Sequence, residues 1–180
     1  MSKTFTRFLL LMLGVFALLA FSAIAEDSTK VKAEEKAAHD FVGHKKCGSK
    51  ACHKDNHTSW LETKHAKAYD LLSDEEKQKP ECVTCHTTGT TAKGVLLEGV
   101  QCEACHGAGK DYKSLKIMSK KKWKADPEKQ KAMAIKAGLI IPTEENCKRC
   151  HTKEGNPNFT EFDFEKSKGL VHPVAEAESK

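Results

Sequence analysis

The chain is 180 residues long, which is enough for one domain once an export signal is set aside. Its formal net charge of +5 does not indicate a nucleic-acid partner, because every basic residue except Arg7 and Arg149 is lysine. Arginine is the residue that more often reads base edges. Aromatic residues make up only 7% of the chain, so we expect something other than side chains to fill part of the interior.

The first 25 residues have the pattern of an export signal. Lys3 and Arg7 form a positive start, residues 8–21 carry no charge, and Ala23-Ile24-Ala25 matches an A-x-A cleavage site. An uncleaved membrane anchor is the alternative, but the uncharged run is shorter than the about 20 residues that a bilayer span needs. We therefore predict a signal peptide at 1–25, no stable membrane span after cleavage, and a location in the periplasm or at the extracellular face of a bacterial cell envelope.

The remaining residues divide into a tether, one domain and a tail. Residues 26–40 are charged and almost free of large apolar side chains, which is typical of an unfolded tether. We predict that residues 41–173 form a single folded domain. The small and polar residues 174–180 predict a disordered tail.

The first elements of the domain are predicted to be helical. Apolar and histidine side chains recur at helical spacing between Lys54 and Leu72, which predicts one helix over that range. Ser73 with Glu76 forms a capping-box pattern. This pattern predicts a new helical start that ends before Pro80.

The second half of the domain predicts a loop region followed by further helices. Residues 87–101 contain three glycines and predict a loop with a short hairpin. Asp126-Pro127 predicts the start of a helix that Gly138 ends. Thr143 predicts the start of another helix, which leads into Cys147. The predicted fold class is mainly α and compact, with long loops and little sheet.

All eight cysteines fall in four pairs, and a histidine directly follows each pair. Three of the pairs have the spacing C-x-x-C-H, which is the attachment signature of c-type haem. On a helical turn, two cysteines at this spacing present both thiols to the vinyl groups of one porphyrin, and the next histidine supplies the proximal imidazole to the iron. Four covalent haem c groups are therefore predicted, in chain order: motif 1 (Cys47, Cys52, His53), motif 2 (Cys82, Cys85, His86), motif 3 (Cys102, Cys105, His106) and motif 4 (Cys147, Cys150, His151).

Other uses of cysteine explain this pattern less well. A disulfide framework suits an exported chain but does not require a histidine after each pair. Zinc sites combine a C-x-x-C with a second half-site, and a thioredoxin-like pair belongs to a βαβ pattern. Motif 1 departs from the signature, because four residues separate its cysteines. The alternative for motif 1 is a local disulfide in a trihaem protein, with His53 as the distal ligand of another haem.

The nine histidines exceed the four that follow the cysteine pairs, which favours two histidine ligands on most irons. His57 and His65 lie on the apolar face of the predicted helix, His172 lies beyond motif 4, and His44 lies shortly before motif 1. These four are the candidate distal ligands. His39 lies in the charged tether and is predicted to be solvated. Histidine in place of methionine predicts low reduction potentials.

Three segments, Phe41–Gly43, Trp60–Ala68 and Gly99–Gly109, carry a resemblance to a known family. Through them the chain resembles the tetrahaem cytochromes of the cytochrome c-554 family over most of residues 41–151. The resemblance implies a compact, mostly helical domain with closely packed haem pairs. It also implies that His65 is a distal ligand and, as a weaker match, His172.

The chain departs from that family in two places. One is the wider spacing of motif 1. The other is the stretch 110–122, which lacks the histidine that the family has soon after its third motif. The haem concerned would then use His44 or His57, or one iron would stay five-coordinate, as one does in the family.

These observations predict a compact multihaem cytochrome that transfers single electrons between other redox proteins and is not an enzyme. One alternative is a haem enzyme that reduces a small nitrogen oxide at a five-coordinate iron. Another is a homo-oligomer in the form of a filament, in which His39 of one subunit would ligate a haem of its neighbour.

Overall fold

The computed structural model describes residues 39–173, and its secondary structure is mainly helical. Several of the helices are only one turn long. In chain order they are α1 (His44–Cys47), α2 (Lys54–Leu61), α3 (Pro80–His86), α4 (Cys102–His106), α5 (Lys120–Ala125), α6 (Pro127–Lys136), α7 (Glu144–Lys148) and α8 (Phe164–Val171). Short 3-10 turns at Tyr69–Leu71 and Glu76–Gln78 lie between α2 and α3.

The sheet content of the described residues is one antiparallel hairpin. Its strands are β1 (Thr87–Thr90) and β2 (Leu96–Glu98), with Thr87 opposite Glu98 and an irregularity in the register before Gly89. The predicted mainly α class with little sheet is therefore confirmed. The predicted signal peptide, most of the predicted tether and the predicted tail lie outside the described residues. Within residues 39–173 no helix is long and apolar enough to cross a bilayer.

Local capping explains where the predicted helices begin. Glu76 accepts hydrogen bonds from the backbone and hydroxyl of Ser73, and the Ser73 hydroxyl accepts from the Glu76 backbone, so the predicted capping box is present. The Asp126 carboxylate caps α6 by accepting from the Lys129 backbone at 3.0 Å. At the other end of α6, Gly138 has a φ of +99°, as the predicted helix end requires.

The predicted helix from Lys54 to Leu72 is wrong in length, because α2 ends at Leu61. The Thr63 hydroxyl donates to the Trp60 carbonyl at 2.7 Å and accepts from the backbone of Ala66 at 3.3 Å, which replaces helical hydrogen bonds. The His65 carbonyl then accepts from the backbone of Val100 at 2.8 Å. Contacts with a distant segment therefore stop a helix that the local spacing favours.

The apolar core of the described residues is small. Its largest cluster combines buried Tyr112, Ile117 and Ala134 with partly buried neighbours that include Met118 and Trp123. Fully buried side chains at other positions are few, and one of the most buried is the charged residue Glu103, at 1% exposure. A small core agrees with the expectation that side chains alone do not fill the interior.

Glu103 joins the start of the domain to motif 3. Its carboxylate accepts hydrogen bonds from the backbone N–H groups of Val42 at 3.0 Å, Gly43 at 2.6 Å and Gly109 at 2.6 Å. The next residue, His44, donates its backbone N–H to the side chain of buried Gln101 at 2.8 Å. The segment before motif 1 is therefore fixed on the segment that contains motif 3.

We expect Glu103→Ala to lower the free energy of unfolding of the haem-loaded protein by roughly 2–4 kcal/mol, because it leaves several buried N–H groups without an acceptor. Denaturation in guanidinium, followed by circular dichroism, measures this change. The matched control is Glu98→Ala, which removes an exposed carboxylate from β2. Equal unfolding free energies for the two variants would contradict the role of Glu103.

Candidate haem-binding sites

Short helices place the cysteine pairs of motifs 2, 3 and 4. Motif 2 forms the end of α3, and motif 3 forms the whole of α4. In motif 4, Cys147 lies in the last turn of α7, and the remainder of the motif follows directly. The cysteines of all four motifs are partly buried and have free thiols. This placement gives each pair the helical turn that two thioether bonds to one porphyrin require.

Motif 1 reaches the same backbone closure in spite of its longer insert. In motif 4 the His151 backbone donates to the carbonyl of Cys147 at 3.0 Å, and in motif 1 the His53 backbone donates to the carbonyl of Cys47 at 3.1 Å. The insert forms a turn of its own, closed by the Cys52 N–H on the Ser49 carbonyl at 2.9 Å. The two extra residues are therefore absorbed in a turn, and the histidine keeps its position relative to the first cysteine.

Gly48 lets this turn pack against α2. A Cβ atom at position 48 would lie 2.3 Å from the imidazole ring of His57, which is closer than any side chain tolerates. The φ of Gly48 is ordinary, at −79°, so glycine is needed here for space and not for backbone freedom.

Two of the predicted proximal histidines are oriented by backbone carbonyls. His86 Nδ1 donates to the Ala68 carbonyl at 2.6 Å, and His106 Nδ1 donates to the Ile140 carbonyl at 3.3 Å. These bonds place the proton on Nδ1 and leave Nε2 with its lone pair, as a metal ligand needs. Burial lowers the pKa of His106, which also favours the neutral imidazole.

Two of the predicted distal histidines face predicted proximal ones. The ring centroids of His65 and His151 are 5.9 Å apart, and those of His106 and His172 are 6.1 Å apart. Each of these contacts brings a predicted distal imidazole beside a predicted proximal one, where the two could hold a haem iron. Burial, and secondly the charge of His151, lower the pKa of His65 and favour its neutral form.

His172 is held in place by α2. The side-chain amide of Asn56 donates to the Pro173 carbonyl at 2.9 Å, and its nitrogen lies 3.2 Å from His172 Nδ1. His172 Nδ1 itself lies 2.9 Å from the Pro173 carbonyl. A residue in the helix that follows motif 1 thus positions an imidazole that faces motif 3. The sequence reasoning did not single out Asn56.

The structure brings His44 and His57 together with each other. His44 Nδ1 lies 2.7 Å from His57 Nε2, and both rings pack against Trp60. A hydrogen bond of this length leaves no room for a metal ion between the two nitrogens. Burial lowers the pKa of His44, and the charges of His57 and Lys45 lower it further. A ligand role for either histidine stays a prediction.

His39 differs from its sequence-based expectation. Its Nδ1 donates to the carboxylate of Asp111 at 2.6 Å, and its side chain is only 22% exposed. The ring covers Gly138, where a Cβ atom would lie 2.5 Å from it. His39 is therefore bound within its own chain and not solvated.

The four motifs contact one another in a defined order. Cys102 of motif 3 lies close enough to Cys47 of motif 1 to raise its pKa, and burial raises that pKa further. Burial, together with the nearby thiol of Cys85 in motif 2, raises the pKa of Cys150 in motif 4 to about 12. Motif 1 thus lies against motif 3, and motif 2 lies against motif 4.

Arg149 connects these two pairs. Its guanidinium donates to the carbonyl of Ala104 at 2.6 Å, so a residue between the cysteines of motif 4 binds a residue between the cysteines of motif 3. The sequence reasoning missed this role. The available signal was that Arg149 is the single arginine after the predicted signal peptide.

The donor set fits haem. Haem iron takes at most two protein ligands, so each motif needs only one further side chain to complete its ligation. Paired thiols and nearby imidazoles are the groups that covalent attachment and axial ligation of haem require. The chain is a c-type cytochrome, and its cofactor is haem c. The predicted resemblance to the cytochrome c-554 family is confirmed, because the model of the family "Cytochrome c554 and c-prime" matches residues 46–107.

Individual proteins similar to this chain include a curated protein and a solved structure. The chain is 36% identical over 146 residues to cytochrome c-554 of Nitrosomonas europaea; the match covers 65% of this chain and 60% of that protein. The chain thus spans about three fifths of the relative's length. It is also similar to the solved structure of reduced cytochrome c554 from Nitrosomonas europaea, with 28% identity, a TM-score of 0.47, and coverage of 74% of this chain and 79% of that one.

Proposed function

We propose that this chain is an exported tetrahaem electron carrier, which passes single electrons between other redox proteins. The observation that carries the proposal is that two pairs of imidazoles lie opposite each other: His65 with His151, and His106 with His172. An iron held between two imidazoles has no open position for a substrate, so its chemistry is limited to electron transfer. The bound haems would supply the redox chemistry, and the protein positions and tunes them.

The proposed attachment follows the four motifs. Motif 1 is included because its backbone closure matches that of motif 4. The contacts of motif 1 with motif 3 and of motif 2 with motif 4 support two closely packed haem pairs, with Arg149 between them. Close packing favours rapid exchange of electrons within the protein. The proposed thioether residues are Cys47, Cys52, Cys82, Cys85, Cys102, Cys105, Cys147 and Cys150, and the proposed proximal ligands are His53, His86, His106 and His151.

The second candidate function is the reduction of a small nitrogen oxide. It requires an iron with an open axial position. In the described part of the chain, neither His53 nor His86 faces a second imidazole at the spacing seen for His106 and His151. The irons of motifs 1 and 2 are therefore the places at which this activity should be sought, unless His44 or His57 moves to ligate one of them.

We expect mass spectrometry of the intact holoprotein to show four covalent haems. Cys52→Ser should weaken or remove the attachment of one haem and leave the other three. The matched control is Ser49→Ala, which changes a side chain in the same turn without touching a thiol. A wild-type protein with three haems, or a Cys52→Ser variant with the wild-type haem number and stability, would contradict attachment at motif 1.

We expect His65→Met to raise the reduction potential of one haem and to add the charge-transfer absorption of a methionine-ligated iron, because sulfur would replace an imidazole. His39→Met is the control. Because the His39 ring binds Asp111, this substitution should leave all four haems unchanged. Potentiometric titration with absorption and electron paramagnetic resonance spectra measures both. An unchanged spectrum and unchanged potentials in His65→Met would show that His65 is not a ligand.

The carrier and enzyme functions are separated by mixing the reduced holoprotein with nitric oxide in a stopped-flow instrument. For a carrier, we expect rapid reoxidation by an electrode or a second cytochrome and no catalytic turnover of nitric oxide. At motifs 3 and 4 the opposed imidazole must be displaced before the gas can bind, and at motifs 1 and 2 any binding should not be followed by turnover. Rapid stoichiometric binding at one haem, followed by multiple turnovers, would instead establish the enzyme function.

A further inference from the structure

The positive charge of the protein is concentrated in one segment, residues 110–124, which we call the basic segment. It contains a single acidic residue, Asp111, and seven lysines, which gives it a formal charge of +6, more than the +5 of the whole chain. The lysines are Lys110, Lys113, Lys116, Lys120, Lys121, Lys122 and Lys124. The other residues of the chain therefore nearly balance one another in charge.

The lysines of the basic segment are exposed on a backbone that is held by packing. All seven are exposed, whereas Tyr112 and Ile117 of the same segment are buried. The Trp123 indole donates to the Ile117 carbonyl at 2.9 Å, which closes the segment on itself. In the described part of the chain, Lys110 is the one of the seven that forms an ion pair, with Asp40. The remaining positive charges are available to another molecule.

The basic segment lies beside two of the proposed haem sites. It begins shortly after motif 3, and the Tyr112 hydroxyl donates to the Gly107 carbonyl, next to His106, at 2.9 Å. Its first residue, Lys110, donates its backbone N–H to the Asp40 carbonyl at 3.2 Å, and Asp40 belongs to the segment that leads into motif 1. Motifs 1 and 3 contact each other, so the segment flanks one proposed haem pair.

We propose that the basic segment is the docking surface for an acidic redox protein, which exchanges electrons with the haem pair of motifs 1 and 3. This inference rests on the proposed electron-carrier function. A concentrated positive surface raises the encounter rate with a negatively charged partner and orients it, and this effect falls with ionic strength. Because the basic segment packs beside motif 3, the partner's cofactor would approach the haem pair of motifs 1 and 3 first.

A different use of the same lysines is to neutralise the propionates of the protein's own haems. The two uses predict different measurements. Lysines that pair with propionates would mainly set reduction potentials, and their removal would change the reaction with any oxidant in the same direction. Lysines that dock a partner would set the rate of encounter and would distinguish oxidants by charge.

The test is the stopped-flow oxidation of the reduced holoprotein by two small oxidants of opposite charge. Each ferricyanide anion takes one electron from a ferrous haem and becomes ferrocyanide; each hexaammineruthenium(III) cation takes one electron and becomes ruthenium(II). The test variant combines Lys120→Gln, Lys121→Gln and Lys124→Gln. The control removes three exposed lysines from α6: Lys129→Gln, Lys131→Gln and Lys136→Gln.

For the wild type, we expect the rate with ferricyanide to fall as salt is added. The test variant should react with ferricyanide roughly three- to tenfold more slowly than the wild type, with a weaker salt dependence. With the ruthenium cation it should react at least as fast as the wild type, and its midpoint potentials should be unchanged. The control variant should resemble the wild type with both oxidants.

Several results would overturn the docking proposal. They are a flat or rising salt dependence of the wild-type rate with ferricyanide, equal rates for wild type and test variant, or shifted midpoint potentials with both oxidants slowed. The wild type could also bind phosphatidylglycerol vesicles and lose this binding on the three substitutions, with the ferricyanide rate unchanged. That result would identify a lipid surface as the partner and would refute docking of a redox protein. Failure of the wild type to react quickly with either oxidant would refute the electron-carrier function itself. The wild-type salt dependence decides the question even if the test variant does not load haem.

Discussion

The arrangement of the haem sites depends on the buried carboxylate of Glu103. A carboxylate at 1% exposure is costly unless its oxygens are fully hydrogen-bonded, and here they accept from Val42, Gly43 and Gly109. Val42 and Gly43 lie shortly before motif 1, and Gly109 lies shortly after motif 3. By satisfying them, one side chain fixes the entry to motif 1 on the helix of motif 3 and so allows the thiols of Cys47 and Cys102 to meet.

The other contacts between motifs also depend on residues whose identity the haem-attachment signature leaves open. Arg149 binds the backbone of Ala104, and Asn56 holds His172 over motif 3. A C-x-x-C-H motif can attach haem with other residues in place of Glu103, Arg149 and Asn56. They act between motifs, which explains why the same signature can be repeated along a chain while the spatial relation of the haems is set elsewhere.

Features that depend on residues close together in the sequence could be predicted from it, whereas features that depend on distant residues could not. The Ser73–Glu76 capping box, the hairpin in 87–101 and the helix from Pro127 depend on neighbours in sequence, and each is present. The helix predicted to reach Leu72 stops at Leu61, where the Thr63 hydroxyl replaces helical hydrogen bonds, and the His65 carbonyl beyond it binds distant Val100, which no local pattern reveals. The opposed pairing of His65 with His151 was likewise beyond spacing arguments, since spacing identified the histidines but not their partners.

The proposed axial pairs also connect ligation to folding. His65 lies early in the domain and faces His151 late in it, and His172 at the end of the described chain faces His106 in the middle. An iron bound by both members of a pair closes a long loop, and closure of a long loop removes conformational freedom from the unfolded chain. The small core around Tyr112, Ile117 and Ala134 then needs to supply only part of the stability. Binding of the cofactors and formation of the tertiary structure are, on this view, one process, because the ligand pairs do not exist until distant segments have come together.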